Sequence, residues 1–163
     1  VINLKTFREK TSVELRNAFI KCAAIETHFL WKYYKTKNSE AHDDLKKGTI
    51  PEKFKRQMFY TFGDYRDLCL DKNIGNDVSD VENNIKGVFS KDNKTVNSLT
   101  RETWWETNGP LIWHGMLCAL EKCWGKDTIK NNSKYEYNNV KFSDKSTTLE
   151  EFAKRPRFLR WFT

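Results

Sequence analysis

The chain has 163 residues, of which 38% are hydrophobic and 14% aromatic, enough apolar material for one folded domain with a core. Lysine and arginine outnumber aspartate and glutamate by 29 to 22, and the net charge of +7 favours anionic partners. The composition excludes a disordered tail, and the alternation of basic with acidic residues argues against a nucleic-acid-binding module.

The first predicted helix starts at Thr11 and runs to about Lys35. Thr11, with Glu14 three residues later, is a capping-box pattern. Apolar residues follow at steps of three and four, which places them on one helical face that we expect to be buried. They are Leu15, Ala18, Cys22, Ile25, Phe29 and Tyr33. The polar residues from Thr36 to Gly48 are predicted to form a connecting loop.

A second helix is predicted to start near Thr49, Pro51 and Glu52. Gly63 lies inside it, where glycine costs about 1 kcal/mol relative to alanine, so its presence predicts close backbone packing or a local bend. The apolar face of this helix comprises Phe54, Met58, Phe62, Tyr65 and Cys69.

Two further helices are predicted in the middle of the chain. The weaker runs from about Asp77 to Phe89. Its apolar edge comprises Val78, Val81, Ile85 and Phe89. The stronger covers Arg101 to Trp124, where Pro110 predicts a kink, or a break and restart. Its clustered tryptophans, at helical spacing among other apolar residues, are predicted to be core rather than a stacking platform for sugars. They are Trp104, Trp105 and Trp113.

The last part of the chain alternates between loop and helix signals. The polar composition from Lys126 to Thr147 predicts a long surface excursion. Thr148, with Glu151, is a second capping box, which opens a short helix ending near Pro156. There is no β-hairpin signal and no internal repeat. The sequence therefore predicts an all-α fold, a helical bundle of long amphipathic helices with long polar loops.

Four ordered strings of residues carry a resemblance to a known family. They cover residues 15–27, residues 50–67, residues 104–105 with 108–113 and 115–120, and residues 149–156 with 158–161. Together they resemble the Duffy-binding-like domains of the falciparum-type erythrocyte membrane adhesins. The strings correspond to the helical middle subdomain of that family. The resemblance therefore implies that residues 1–163 are a single partial domain, truncated at both ends.

The resemblance implies a malaria adhesion module without enzymatic activity or a cofactor. Its expected place is the extracellular part of a membrane protein at the surface of an infected host erythrocyte, where such domains serve cytoadherence and antigenic variation. The implied partners are a host receptor protein (an adhesion molecule or an immunoglobulin) or a sulfated glycosaminoglycan such as chondroitin sulfate, beside neighbouring domains of the same adhesin. The modest charge excess favours a protein, and a structural spacer with no ligand of its own is a further alternative.

Candidate binding residues come from two groups of basic residues. The larger group lies at the end of the first helix, in its loop and at the start of the second helix. Its members are Lys32, Lys35, Lys46, Lys47, Lys53, Lys55 and Arg56, and the smaller group, around Pro156, contains Arg157 and Arg160. Two interpretations are open: a solvated helix face, or a convergent patch for sulfate or carboxylate groups whose attraction would weaken as salt rises.

The four cysteines make an even number that leaves the redox compartment open. Cys22 and Cys69 fall on the predicted inward faces of neighbouring helices, so a disulfide between them is geometrically plausible. Cys118 and Cys123 are five positions apart, about 140° around a helix, and would need other partners unless the helix end frays. No CxxC pair occurs and zinc-ligand spacing is poor, so no metal site is predicted.

Overall fold

The computed structural model describes residues 11–70, 83, 85–89, 100–124 and 129–162. Its α-helices are α1 (Ser12–Lys37), α2 (Ala41–Lys46), α3 (Glu52–Cys69), α4 (Arg101–Trp124), α5 (Leu149–Lys154) and α6 (Arg157–Arg160). Residues 83 and 85–89 are also helical, and the rest of the predicted third helix lies outside the described residues. Within the described part the only extended pairing is an isolated bridge between Lys141 and Thr148, so the predicted all-α fold is confirmed.

Helices α1, α3 and α4 form the centre of the bundle. Trp104 Nε1 donates to Ser12 Oγ at 3.0 Å, where α4 and α1 begin. Further along, a Cβ placed on Gly115 would lie 2.8 Å from Ile20 Cγ2, so the two backbones approach closely. These two contacts show that α1 and α4 run side by side in the same direction.

The clustered tryptophans of α4 are buried, which confirms their predicted place in the core. Trp104 packs against Phe19 of α1, with ring centroids 5.3 Å apart. Trp105 packs against Phe62 of α3 at 5.0 Å. Burying such large rings removes extensive apolar area from water, so they are a major source of the stability of the bundle.

Helix α1 has the predicted start, because the Thr11 side chain accepts a hydrogen bond from the Glu14 backbone N–H at 3.1 Å. The predicted buried face is correct in the first half and wrong in the second. Ile25 and Phe29 are 48% and 62% exposed, whereas Trp31 is fully buried. The reason is that Trp31 packs edge-on against Phe54 of α3, at 5.0 Å, and this contact decides which face of the helix turns inward.

The predicted loop at 36–48 contains a short helix, α2, which the sequence interpretation missed. Ala41 and Leu45 lie four residues apart, so both fall on one helical face, and both are buried. Thr49, part of the predicted start signal, lies two residues before the N-cap position of α3, and its N–H donates to the carbonyl of Asp44 and closes the turn after α2. The residue before α3 is Pro51, which makes no side-chain cap.

Helix α4 continues across Pro110, so the predicted break is not present. Proline lacks the N–H that the Glu106 carbonyl would accept, which makes an interior proline costly. The ring of Phe62 lies 5.0 Å from Trp105 and 6.0 Å from Trp113. One side chain of α3 therefore packs against both halves of α4 and offsets the lost hydrogen bond.

Where the structure describes it, the predicted surface excursion at 126–147 is mostly exposed but is anchored to the core at a few positions. Its scattered apolar side chains are buried. They are Ile129, Tyr135, Val140 and Phe142. The buried carboxylate of Glu121 accepts hydrogen bonds from the backbone N–H groups of Ile129, at 2.6 Å, and Lys130. These bonds attach residues 129–130 to the end of α4 and let the apolar side chains reach the bundle.

Helix α5 begins as predicted. The Thr148 hydroxyl accepts from the Glu151 N–H at 3.2 Å, and the Glu151 carboxylate accepts from the Thr148 N–H at 2.8 Å. This reciprocal pair is a complete capping box. The hydrogen bonds from the Thr148 backbone also lower the pKa of Glu151. Helix α5 ends before Pro156, also as predicted.

Candidate functional site

The structure divides the predicted basic residues into two classes. Some are exposed and able to meet a partner, namely Lys32, Lys35, Lys46, Lys47 and Lys53. The others are buried or half-buried against the protein itself, namely Lys55, Arg56, Arg157 and Arg160. Burial leaves little of Lys55 and Arg160 for a partner to contact, whereas Arg56 and Arg157 are partly accessible and stay candidates.

Lys55 is only 5% exposed. Its Nζ donates to Glu52 Oε1 at 3.0 Å, one helical turn earlier. Lys55 is therefore a structural residue at the start of α3, where it neutralises a carboxylate of its own helix.

Arg160 is 1% exposed and joins α6 to α3. Its guanidinium donates to Asp67 Oδ2 at 2.6 Å and to the carbonyl of Arg155 at 2.6 Å. A Cβ on Gly63 would lie 2.9 Å from Arg160 Nε, so the glycine leaves the room that the guanidinium occupies. Close packing, one of the two reasons proposed for Gly63, is thereby confirmed, and Arg160 is a core residue.

Arg56 and Arg157 are half-buried against neighbouring side chains. The guanidinium of Arg56 lies over the ring of Phe142, 5.3 Å from its centroid, in a cation–π arrangement. Arg157 Nε lies 3.5 Å from Asp64 Oδ1. The pKa of Asp64 is nevertheless raised, because burial outweighs the lowering effect of Arg157 and Arg160. Both arginines therefore contact neighbouring side chains of the protein while part of each stays accessible.

The exposed lysines lie at one end of the bundle. Phe54, the residue after Lys53, contacts Trp31, the residue before Lys32, so the start of α3 lies beside the last turns of α1. Lys46 ends α2, and Lys47 follows it. We call the five exposed residues the lysine surface: Lys32, Lys35, Lys46, Lys47 and Lys53.

Two long-range hydrogen bonds hold the turn that carries part of this surface. The Ile50 N–H donates to the Tyr135 hydroxyl at 2.8 Å, and Asn132 Nδ2 donates to the Gly48 carbonyl at 3.3 Å. Gly48 has φ of 79°, a conformation that glycine adopts without strain. The turn beside Lys47 is therefore anchored to the 129–140 segment.

The same hydrogen bonds bring a further exposed cation, Lys134, close to the lysine surface. Its Nζ lies over the ring of Tyr135, 5.5 Å from the centroid. The sequence interpretation missed this residue because the segment was predicted to be a surface loop. The available signal was Tyr135, since an aromatic side chain in such a polar segment is often anchored to the core.

Tyr135→Phe is expected to destabilise the chain by about 1–2 kcal/mol, because it leaves the buried Ile50 N–H without an acceptor. Urea unfolding and hydrogen exchange at the Ile50 amide would measure the loss. Tyr33→Phe is the matched control, because Tyr33 is exposed and its hydroxyl is not needed for the fold. Unchanged exchange at Ile50 in Tyr135→Phe would contradict the assignment of this hydrogen bond as an anchor.

The predicted disulfide between Cys22 and Cys69 is not formed in the structure, where both residues are buried free thiols. Cys22 lies close to Tyr65 and contributes to the raised pKa of the Tyr65 hydroxyl. Tyr65 precedes Cys69 on α3 by about one helical turn. Cys69 Sγ faces the carbonyl of Arg101 at 3.8 Å. Burial raises the pKa of the Cys69 thiol to about 12, so it stays protonated and unreactive at neutral pH.

The other two cysteines are less completely described. Cys118 is half-buried on α4. The side chain of Cys123 lies outside the described residues, so the relation between these two cysteines stays a prediction. Within the part of the chain that the structure covers, no group of three or more histidine, cysteine, aspartate or glutamate residues is placed to hold a metal ion.

A cleft of about 290 Å³ lies between α4 and α5. It is lined by Glu102, Glu106, Tyr137 and Glu150 among others. Burial, together with the nearby Glu150, raises the pKa of Tyr137 to about 12, so the phenol is protonated at neutral pH. Glu150 also pairs with Lys154 at 2.9 Å. The described lining residues offer hydrogen-bonding and ionic contacts, and include no serine, cysteine or histidine nucleophile.

Comparisons with known proteins give one match. A family model, the Duffy binding domain, matches residues 1–160, which is nearly the whole chain. Searches of curated proteins and of solved structures each found no match. No described helix is long and apolar enough to cross a membrane. The all-helical bundle, its buried tryptophans and this match agree: the chain belongs to the Duffy binding domain family, whose members are receptor-binding adhesion modules.

Proposed function

We propose that the chain is a cell-adhesion module of a falciparum-type erythrocyte membrane adhesin. It would be displayed on the infected erythrocyte, as the extracellular part of a membrane protein with neighbouring adhesion domains. Its partner would be a host receptor protein, such as an adhesion molecule or an immunoglobulin, and binding would involve no catalysis. Family membership supports receptor binding in general, and the lysine surface supports the choice of binding site.

The observation that carries this choice is the contrast between the two classes of basic residues. Lys55 pairs with Glu52 of its own helix, and Arg160 is neutralised by Asp67 inside the protein. The members of the lysine surface are exposed at one end of the bundle, and part of that surface lies beside a turn fixed by Tyr135 and Asn132. A backbone that is already fixed loses little conformational freedom on binding, which favours a specific complex.

The charge pattern favours a protein partner over a polyanion. Exposed acidic residues, Asp43 and Glu52, lie among the lysines, so the surface has mixed sign and suits a partner of complementary mixed sign. A sulfated glycan such as chondroitin sulfate is the second candidate, because the lysines share one end of the bundle and sulfate groups pair well with lysine.

Capture of a panel of host adhesion molecules, immunoglobulins and sulfated glycans by the whole chain tests the proposal. The triple charge reversal of Lys46, Lys47 and Lys53 to glutamate is expected to weaken capture of a protein receptor at least about tenfold, because rim charges act on association and like charges repel. Wild-type capture that persists at a few hundred millimolar salt supports a protein interface, whereas a collapse supports the glycan.

Single variants provide the matched control. Lys47→Glu and Lys86→Glu change the charge equally. Lys86 is exposed on the helical stretch 85–89, whose Phe89 contacts Trp104 near the start of α1. The lysine surface, in contrast, lies beside the last turns of α1. Only Lys47→Glu is expected to weaken capture. Equal effects of the two variants would contradict the assigned surface, and no capture of any panel member would support a structural spacer instead.

A further inference from the structure

A second surface, which is mainly apolar, lies between α1 and α4. It is an open groove of about 830 Å³. Exposed or partly exposed apolar side chains form its walls, and small residues form its floor. The walls include Ile25, Phe29 and Leu111, and the floor includes Ala24, Gly115 and Ala119.

The groove exists because α1 is apolar on two faces. One face packs into the bundle through residues such as Trp31, and the other presents Ile25 and Phe29 to solvent. Apolar side chains that are scattered singly over a surface need no explanation. Here they line one concavity together with Leu111 of α4, and such contiguous patches mark interaction sites.

The shape of the groove suits a helix. Gly115 packs against Ile20, so the two helices approach closely and no large side chain fills the space above that contact. The lining extends from Lys21 to Phe29 on α1 and from Leu111 to Lys122 on α4. At 1.5 Å per residue these stretches are about 12 and 17 Å long, enough for two to three turns of an incoming helix.

The charge around the groove identifies the chemistry of its occupant. Its lining includes the cations Lys21 and Lys122 and the histidines His28 and His114, and none of the described lining residues is an aspartate or glutamate. We propose that this groove docks an amphipathic helix of another protein, whose apolar ridge is flanked by aspartate or glutamate. The carboxylates would meet Lys21 and Lys122 at the two edges.

A second copy of this chain fits poorly. Two grooves placed face to face would bring Lys21 and Lys122 against their own copies. The other exposed apolar segment described, with Phe158, Leu159, Trp161 and Phe162, belongs to the stretch 155–163, which has three arginines and no acidic residue. That stretch offers no carboxylate to meet Lys21 and Lys122, so it lacks the charge complementarity that the groove favours.

Two helix-stabilised peptides of about five turns, with the same leucine ridge, test the proposal. One carries glutamates beside the ridge, and the other carries lysines. The glutamate peptide is expected to bind the whole chain about fivefold to tenfold more tightly at low salt, because each exposed ion pair contributes modestly. Rising salt should reduce this preference.

Substitutions of exposed residues at the edges and wall of the groove show whether the peptides bind there, and they leave the core unchanged. The double reversal Lys21→Glu with Lys122→Glu is expected to invert the preference, so that the lysine peptide binds more tightly. Phe29→Ser is expected to weaken both peptides about tenfold. The double reversal Lys47→Glu with Lys53→Glu, on the lysine surface, is the control and should leave peptide binding unchanged. Peptide binding to the groove and receptor capture by the lysine surface are therefore tested independently.

Three outcomes would overturn the proposal. The first is equal binding of the two peptides, or binding of neither. The second is binding of anionic lipid vesicles with no binding of the glutamate peptide, which would indicate a membrane contact. The third is a dimer of the wild-type chain that Phe29→Ser converts to a monomer, since the groove would then be occupied by a second copy.

Discussion

Asp67→Ala is expected to lower the free energy of unfolding by about 3–5 kcal/mol, because it leaves the buried guanidinium of Arg160 without its closest carboxylate. Asp67 and Arg160 are both almost fully buried, and their atoms lie 2.6 Å apart. The remaining carboxylate, Asp64, is 3.4 Å away and is itself partly solvated. Urea unfolding followed by tryptophan fluorescence would measure the change.

Two further variants show whether the loss comes from an unpaired charge. Asp64→Ala removes a carboxylate whose side chain is 45% exposed and is expected to cost about 1 kcal/mol or less. The double variant Asp67→Leu with Arg160→Met replaces the pair by apolar residues and should recover much of the stability lost in Asp67→Ala. If Asp67→Ala unfolds at the same urea concentration as the wild type, the ion pair is not a structural element.

Trp113→Ala is the second substitution with a large expected effect, a loss of about 3–5 kcal/mol. Its ring is buried and contacts Phe59 at 5.7 Å and Phe62 at 6.0 Å. Its Nε1 also donates to the carbonyl of Tyr135 at 2.8 Å, which ties α4 to the 129–140 segment. The substitution therefore removes both packing and a buried hydrogen bond.

Thermal and urea unfolding of two controls separate these contributions. Trp113→Phe keeps most of the packing and loses the hydrogen bond, so its loss should be smaller than that of Trp113→Ala. Trp161→Ala removes a ring that is 72% exposed and is expected to change stability by no more than about 0.5 kcal/mol. Similar losses for Trp113→Ala and Trp161→Ala would contradict the described core.

The long helices were predictable because their apolar spacing depends on neighbours in sequence. The face of α3 from Phe54 to Cys69 is buried as predicted. The second half of α1 was not predictable, because two faces of that helix are apolar and only contact with α3, through Trp31 and Phe54, selects between them. Local periodicity carries no information about which of two apolar stripes meets a partner.

The candidate site was predictable only as a set of basic residues. Whether a lysine or arginine is exposed depends on a carboxylate that is remote in sequence, as with Arg160 and Asp67, which lie 93 positions apart. Lys134 was missed for the related reason that its place beside the turn at Gly48 depends on the Tyr135 hydroxyl, 85 positions from Ile50. Composition indicates that cations are present, and tertiary contacts determine which of them remain available.

The junction of α6 with α3 has a mechanical consequence for a receptor-binding adhesion module. Tension applied to the backbone at Arg160 would be carried through its guanidinium into Asp67, in the middle of the bundle, and also into the carbonyl of Arg155. The short helices α5 and α6 would therefore not separate from the bundle gradually, one turn after another. Their release requires rupture of a buried ionic contact, so this end of the chain should resist pulling until a distinct force threshold is reached.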